Sequence, residues 1–319
     1  MTENEFLLED RIAKIRSVVE KYGEENFYVS FSGGKDSTVL SALIDIALPG
    51  NTIPRVFANT GIEYRLIVEF VEREREHQHP WELIILQPKV PIKQMLEKEG
   101  YPFKSKQHAR YVKAYQNMGM KPLSAKKYLG IVPGNVTIKC PKILRYQFTE
   151  EGAPFKISQY CCVRLKEDPM KNYSKESKRP YAITGIMPSE GGQRMTAKCL
   201  SFRGGELSFF QPLVPLSEEW EDWFIKEYRV NICELYNEPY NFERTGCKGC
   251  PFNPHLQKEL DVLEQFFPAE RKQCELIWKT VYDEYRRLGY RLKPLSNEYQ
   301  VTISGQLRFD ENMNITEET

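Results

Sequence analysis

Ser32-Gly33-Gly34-Lys35-Asp36-Ser37 brings two glycines, two hydroxyls, a lysine and a carboxylate into consecutive positions. Where such a run joins a strand to a helix, backbone N–H groups and the positive helix end converge on one point, and that point attracts an anion. Gly33 and Gly34 let the backbone approach phosphate oxygens, Lys35 adds a mobile positive charge, and the Ser32 and Ser37 hydroxyls supply donors. Asp36 is the candidate for contacting Mg2+, directly or through water. The spacing is not G-x-x-x-x-G-K-[ST], so a site that cleaves between the β and γ phosphates is not expected.

A second set is made of sulfur. Of eight cysteines, Cys161 and Cys162 are adjacent, and Cys247 and Cys250 form a C-x-x-C. Together they supply four thiolates, which suit a [4Fe–4S] cluster or tetrahedral zinc. Adjacent ligands are uncommon in zinc fingers, which favours iron–sulfur and leaves zinc as the alternative. His255 would be a substitute ligand for zinc, although a lone surface histidine is the simpler reading. Cys140, Cys199, Cys233 and Cys274 read as ordinary free thiols.

The elements that must position these groups follow from periodicity. Apolar residues at helical spacing over Glu5 to Lys21 predict an amphipathic helix ending near Gly23. Phe27 to Phe31 reads as a strand and Ser37 to Ala47 as the helix after the phosphate loop. Ile53 to Ala58, a helix from Tyr64 to Glu76, and a strand from Trp81 to Leu86 continue the alternation. Strands at Tyr181 to Ile186 and around Leu207 to Phe210 complete it, which predicts an α/β fold with a parallel, Rossmann-like sheet flanked by helices. Helices are expected over Leu256 to Phe266 and Pro268 to Leu288. The domain expectation is a nucleotide-binding part of residues 1–100 plus 155–230, a basic insertion of 101–154, and a C-x-x-C-containing helical part of 231–319.

Composition narrows the classes. The 45 Lys and Arg against 44 Asp and Glu give a net charge of +1, which marks neither a nucleic-acid binder nor an acidic tail protein. No apolar run is long enough to span a membrane, and the acidic start lacks the pattern of a secretory signal, so a cytoplasmic location is the expectation. Charge is uneven locally: Tyr101 to Thr149 holds ten Lys or Arg and no Asp or Glu. These cations, interleaved with Tyr101, Tyr111, Tyr115, Tyr128 and Tyr146, could neutralise a nucleic-acid backbone and stack on unpaired bases. A solvated lid, or a segment that steers a small nucleotide, fits the same composition.

Ser32 to Ser37 resembles the signature loop of the PP-loop pyrophosphatase superfamily, whose members bind ATP and split it between the α and β phosphates. Asn59-Thr60-Gly61-Ile62-Glu63-Tyr64 is similar to the N-T-G-x-E-x segment of the phosphoadenosine phosphosulfate (PAPS) reductase-like branch. Gly185-Ile186-Met187-Pro188-Ser189-Glu190 to Arg194 is like its G-x-R-x-x-E-S-x-x-R region, with Met187 where an arginine is usual. Trp220-Glu221-Asp222-Trp223, after Gln211-Pro212-Leu213, resembles its P-L-x-x-W-x-x-x-D-V-W segment in altered spacing. Cys161 to Pro169 and Gly246 to Cys250 are similar to the C-C-x-x-x-K-x-x-P and G-C-x-x-C segments of its cluster-containing members.

The resemblance implies that Asn59, Thr60, Gly61 and Gly185 bind the nucleotide with the loop, that Lys35, Asp36 and Arg194 act in catalysis, and that the four paired cysteines hold the metal. Reductases of this branch carry a catalytic cysteine in a C-terminal motif, and no such motif follows Cys274. The chain is also similar to the ATP pyrophosphatase component of DNA phosphorothioation systems. The expectation is therefore adenylation of a substrate with pyrophosphate release, coupled to iron–sulfur-dependent sulfur transfer, with a sulfur-donor protein such as a cysteine desulfurase as partner. A sulfonucleotide reductase and a nucleotide-binding regulator without catalysis are the alternatives.

Overall fold

The computed structural model describes residues 1–133, 139–188 and 195–295, with Arg308–Phe309 and Ile315–Thr316 beyond them. The chain divides into two compact units. One comprises Met1–Asn59, Glu63–Pro88 and Glu167–Thr245; the other comprises Thr60–Ile62, Lys89–Lys166 and Gly246–Thr319.

The first unit is built on six strands: β1 (Phe27–Ser30), β2 (Arg55–Ala58), β3 (Leu83–Leu86), β4 (Tyr181–Thr184), β5 (Leu200–Arg203) and β6 (Glu206–Phe210). Their order is β3-β2-β1-β4-β6-β5, and all neighbours are parallel except β5 and β6. Alternation along β1 explains why the sheet is covered on both faces. Phe27 and Val29 enter one core with α1 (Glu3–Tyr22), α2 (Lys35–Ala47) and α9 (Glu218–Glu227), whereas Tyr28 packs with Val56, Ala182 and residues Met170 and Tyr173 of α8 (Asp168–Glu176). Full burial of Phe27, Val29 and Val56 stabilises the unit by about 1.5–3 kcal/mol each. The fold class expected from the alternation is the one observed.

The hairpin of β5 and β6 turns at Gly204 and Gly205, both at positive φ (61° and 87°), which a two-residue hairpin loop demands. Its first strand is absent from the sequence reading because Leu200 to Arg203 is half-exposed and shows no clean apolar alternation.

The second unit is helical: α4 (Ile92–Glu99), α5 (Lys106–Met118), α6 (Leu123–Leu129), the single turn α7 (Tyr160–Cys162), α10 (Leu256–Phe266), α11 (Pro268–Ile277) and α12 (Lys279–Arg287). Arg308–Phe309 and Ile315–Thr316 pair as a short antiparallel ladder, β7 and β8. The helix expected over Pro268 to Leu288 is two helices that break at Trp278, whose indole Nε1 donates to the Lys248 carbonyl at 3.0 Å. The basic insertion is folded around a buried His108, with Nδ1 2.9 Å from the Tyr128 hydroxyl and Nε2 2.7 Å from Gln147 Oε1. Burial holds that imidazole down at about 4, so it is neutral at ordinary pH. Tyr111 and Tyr128 are core residues and Tyr146 hydrogen-bonds to Glu284, so these three tyrosines are structural and not free to stack on bases. Among the described residues no helix is long and apolar enough to cross a membrane.

Candidate nucleotide and metal sites

The order of strands places a topological switch at β1, which has β2 on one side and β4 on the other, all three parallel. Ligands of open parallel sheets sit beyond the carboxyl ends of the strands at such a point. Ser32 to Gly34 emerges there and Lys35 begins α2. Gly33 is at φ 68°, and a Cβ on it would stand 2.9 Å from Val71 Cγ2 of α3 (Arg65–Glu76), so glycine is required both for conformation and for space. The loop closes on itself: the Ser37 hydroxyl donates to the Gly34 carbonyl at 2.9 Å and accepts from the Ser32 N–H at 3.1 Å, while the Gly34 N–H donates to Ser32 Oγ at 3.3 Å. Through these bonds the Ser37 hydroxyl shapes the loop.

Gly185, just beyond β4, abuts the loop from the side. A Cβ there would lie 2.8 Å from the Asp36 carbonyl oxygen and 3.2 Å from the Ser37 backbone nitrogen, so this glycine lets the end of β4 press on the first turn of α2. Gly34 is roofed by a hydrogen-bonded pair, the Tyr236 hydroxyl and Thr245 Oγ1, which a Cβ would meet at 3.1 and 3.3 Å. Burial pushes the Tyr236 phenol up to about 12, which keeps it a neutral donor and acceptor.

Lys35 extends to Glu221 on α9, with Nζ 2.5 Å from Oε2, and Asp222 stands 3.5 Å away. Burial opposes the Lys35 charge, but the hydrogen bond and attraction from Glu221, with Asp222 and Asp36, raise its pKa overall. Glu221 is 1% exposed and its Oε1 has no hydrogen-bond partner among the described residues. Burial and the neighbouring Asp36 push its carboxyl up to about 7 against the pull of Lys35. Near neutral pH it is thus poised between an ion pair with Lys35 and the neutral acid. Glu221, Tyr236 and Thr245 are the residues that sequence reasoning did not assign; Glu221 carried a signal, since it lies in the Trp220 to Trp223 segment.

In the second unit the four paired cysteines come together. Cys161 Sγ and Cys162 Sγ are 4.0 Å apart. The Cys161 thiol is pushed well up by its hydrogen bond with Cys162, by burial, and by the charges of Cys162, Cys250 and Cys247. Cys250 is pushed up by burial, then by Cys247 and Cys162. Cys161 and Cys250, whose ionisation is opposed by burial and by the neighbouring thiols, would be relieved by a positively charged centre, which suits thiolate ligands. Their loop is tied down: Gly249 N–H donates to Glu259 Oε1 at 2.6 Å, and Tyr285 donates to the Pro251 carbonyl at 2.8 Å. Cys140, Cys233 and Cys274 are buried, and burial pushes each thiol up.

The sequence model of the phosphoadenosine phosphosulfate reductase domain matches residues 26–131 and 135–253. The chain belongs to that family. An uncharacterized protein of Methanocaldococcus jannaschii is 25% identical over 297 residues, covering 88% of this chain and 55% of the relative. The chain thus spans about half the length of that curated relative. Solved structures similar to it include a PAPS reductase from Candida auris in complex with phosphate (13% identity, 74% of this chain and 91% of that one, TM-score 0.42). A U34-tRNA thiolase, NcsA, from Methanococcus maripaludis with its [4Fe–4S] cluster has 15% identity, coverage of 92% and 84%, and a TM-score of 0.38. An NH3-dependent NAD synthetase from Campylobacter jejuni in complex with nitrate has 14% identity, coverage of 92% and 100%, and a TM-score of 0.39.

The family's motifs fall as follows. Asn59 closes β2, its N–H donating to the Leu86 carbonyl at 2.9 Å, in the first unit. Thr60 and Gly61 are grouped with the second unit, where the Ile62 carbonyl accepts the Lys248 N–H at 2.7 Å. Met187, where the family's arginine is usual, is 2% exposed in the apolar core. Arg194, with Ser189 and Glu190, lies outside the described residues.

Proposed function

We propose that this reductase-domain chain binds ATP or a related adenine nucleotide at Ser32–Ser37 and adenylates a substrate with release of pyrophosphate, coupled to sulfur transfer that uses a cluster held by Cys161, Cys162, Cys247 and Cys250. The observation that carries the nucleotide half is the glycine loop at the switch point, with Lys35 as the first residue of α2 and Gly185 packed against the loop's backbone. In the proposed reaction an oxygen of the substrate attacks the α-phosphorus, a new P–O bond forms, and the bond to the bridging oxygen breaks with that electron pair leaving on pyrophosphate. The loop amides and Lys35 then stabilise the charge that develops on the leaving group. Lys35 must turn from Glu221 to do so, and Glu221 is able to take up a proton because its carboxyl sits at about 7. Mg2+, contacted through Asp36, would neutralise phosphate charge. A [4Fe–4S] cluster on the four thiolates would supply sulfur binding or electrons.

The buried state of Cys140, Cys233 and Cys274 argues against these three as the nucleophile of sulfonucleotide reduction, because a nucleophilic thiol needs access and an ionisable sulfur, and leaves half-buried Cys199 as the one other unpaired cysteine. For a nucleic-acid acceptor, support is limited to charge: Lys106, Arg110, Lys121, Lys139, Lys142 and Arg145 of the insertion are exposed. The deciding experiment compares ATP with phosphoadenosine phosphosulfate on anaerobically purified protein. Pyrophosphate formed from ATP, lost in Lys35→Ala, is the expected result. Sulfite released from the sulfonucleotide would replace this reading with the reductase, and ATP binding without turnover would leave a regulator.

A further inference from the structure

Helix α3 ends at Glu76, and the chain returns to the sheet at Leu83. At that end Glu74, His77 and His79 bring one ligand atom each within 4.8 Å of the others. His77 Nδ1 is 3.6 Å from Glu74 Oε1, and His79 Nε2 is 3.7 Å from Glu74 Oε2. These separations are too long for hydrogen bonds and suit donors that share a cation.

Two further observations point to a ligand. His79 Nε2 is hidden from solvent and has no hydrogen-bond partner among the described residues, a costly state for a ring nitrogen unless something else meets it. The imidazole is also held in place: it stacks on Trp81 with centroids 3.9 Å apart and planes 8° from parallel. Trp81 is itself fixed, its Nε1 donating to Asp45 Oδ1 at 3.0 Å and the Arg55 guanidinium lying 4.4 Å from its ring centre. Glu74 Oε1 is oriented by Asn231 Nδ2 at 3.4 Å. The negative end of the α3 dipole adds to the attraction for a cation.

We propose that Glu74, His77 and His79 bind a divalent transition-metal ion of the zinc class, at a site made of different residues from the thiol set. Two imidazoles and one carboxylate, with the remaining position open to water, are the donor set that zinc, cobalt, nickel or copper takes; magnesium and calcium prefer oxygen throughout. Bound there, the ion ties the last turn of α3 to the segment that leads into β3.

Cobalt(II) is the probe, titrated into the full chain under anaerobic conditions. The expected result is a component of one ion per chain with ligand-field bands and no sulfur charge transfer. Its affinity should drop by at least about tenfold in His77→Ala and in Glu74→Gln, and be unchanged in Cys161→Ser. His77 is exposed, so its replacement leaves the fold intact, whereas His79→Ala also removes the stack on Trp81. Absence of any saturable sulfur-free binding, or binding that survives both His77→Ala and Glu74→Gln, overturns the proposal.

Discussion

At the scale of single residues, the phosphate loop depends on contacts that tolerate no added atom. Gly185→Ala would set a methyl 2.8 Å from the Asp36 carbonyl oxygen, and because the neighbour is backbone, the first turn of α2 must move. The expected cost is about 1–3 kcal/mol of stability, with a larger loss of nucleotide affinity, measured by denaturant unfolding and by calorimetric titration with ATP. Glu221 gives a prediction with a sign. Its carboxyl is raised from the ordinary range to about 7, so the folded chain holds this proton more tightly than the unfolded one. The stabilisation is complete below the unfolded value near 4.5 and is lost as pH rises through about 7. Glu221→Gln cannot ionise, and its melting temperature relative to wild type is expected to rise as pH goes from 4.5 to 7, with the pH dependence in that window flattened. A wild-type and variant difference that stays constant across the window would mean that Glu221 is ionised throughout, held so by Lys35.

At the scale of elements, β2 contains the residue least expected in a buried parallel strand. Arg55 is fully buried, and its guanidinium donates to Ser41 Oγ (2.9 Å), Asn51 Oδ1 (2.8 Å), the Ile53 carbonyl (2.6 Å) and Asp45 Oδ1 (2.7 Å). Burial pulls its pKa down to about 10 despite Asp45. Arg55→Met would leave the Ser41, Asn51 and Ile53 acceptors without their donor, whereas Asp45, whose side chain is 38% exposed, keeps Asn51 Nδ2 and Trp81 Nε1, and the expected loss is about 1–3 kcal/mol in urea unfolding. An unchanged midpoint would show that water takes over the arginine's bonds. Sequence periodicity sees β2 as apolar, since Val56 and Phe57 carry the signal, but it has no means of showing that an arginine four residues from Asn51 folds back on α2. The same limit explains the other differences. α10 is legible because Leu256, Leu260 and Leu263 recur at helical spacing, whereas the break at Trp278 depends on a hydrogen bond to Lys248, thirty residues away in sequence. The loop is legible because its residues are consecutive, and each cysteine pair because its two thiols lie within four positions; grouping the two pairs into one site rests on the family resemblance. The role of Glu221 is not legible: its segment resembles the family's, but a carboxylate on an amphipathic helix looks the same whether it faces water or Lys35.

At the scale of the whole molecule, the thiols and the phosphate loop belong to different compact units, so metal loss should act on one of them. The segment that carries Cys247 and Cys250 is a knot of the helical unit: Gly249 is bonded to Glu259 of α10, and Tyr282 and Tyr285 of α12 donate to the Gly249 and Pro251 carbonyls. A centre held by all four thiolates would stabilise that knot directly, since without it burial and the neighbouring thiols keep Cys161 and Cys250 protonated. Double replacement Cys161→Ser with Cys250→Ser, or chelation of the wild type, is therefore expected to raise deuterium uptake across residues 246–292. The amides of β1 and α2 should keep their protection, since the core of the first unit draws on none of these residues. Hydrogen exchange read by mass spectrometry separates the outcomes. Uptake confined to the helical unit fits a metal-stabilised part beside an independently folded nucleotide unit. A uniform rise would mean that the two units unfold as one, and that the centre stabilises the phosphate loop as well.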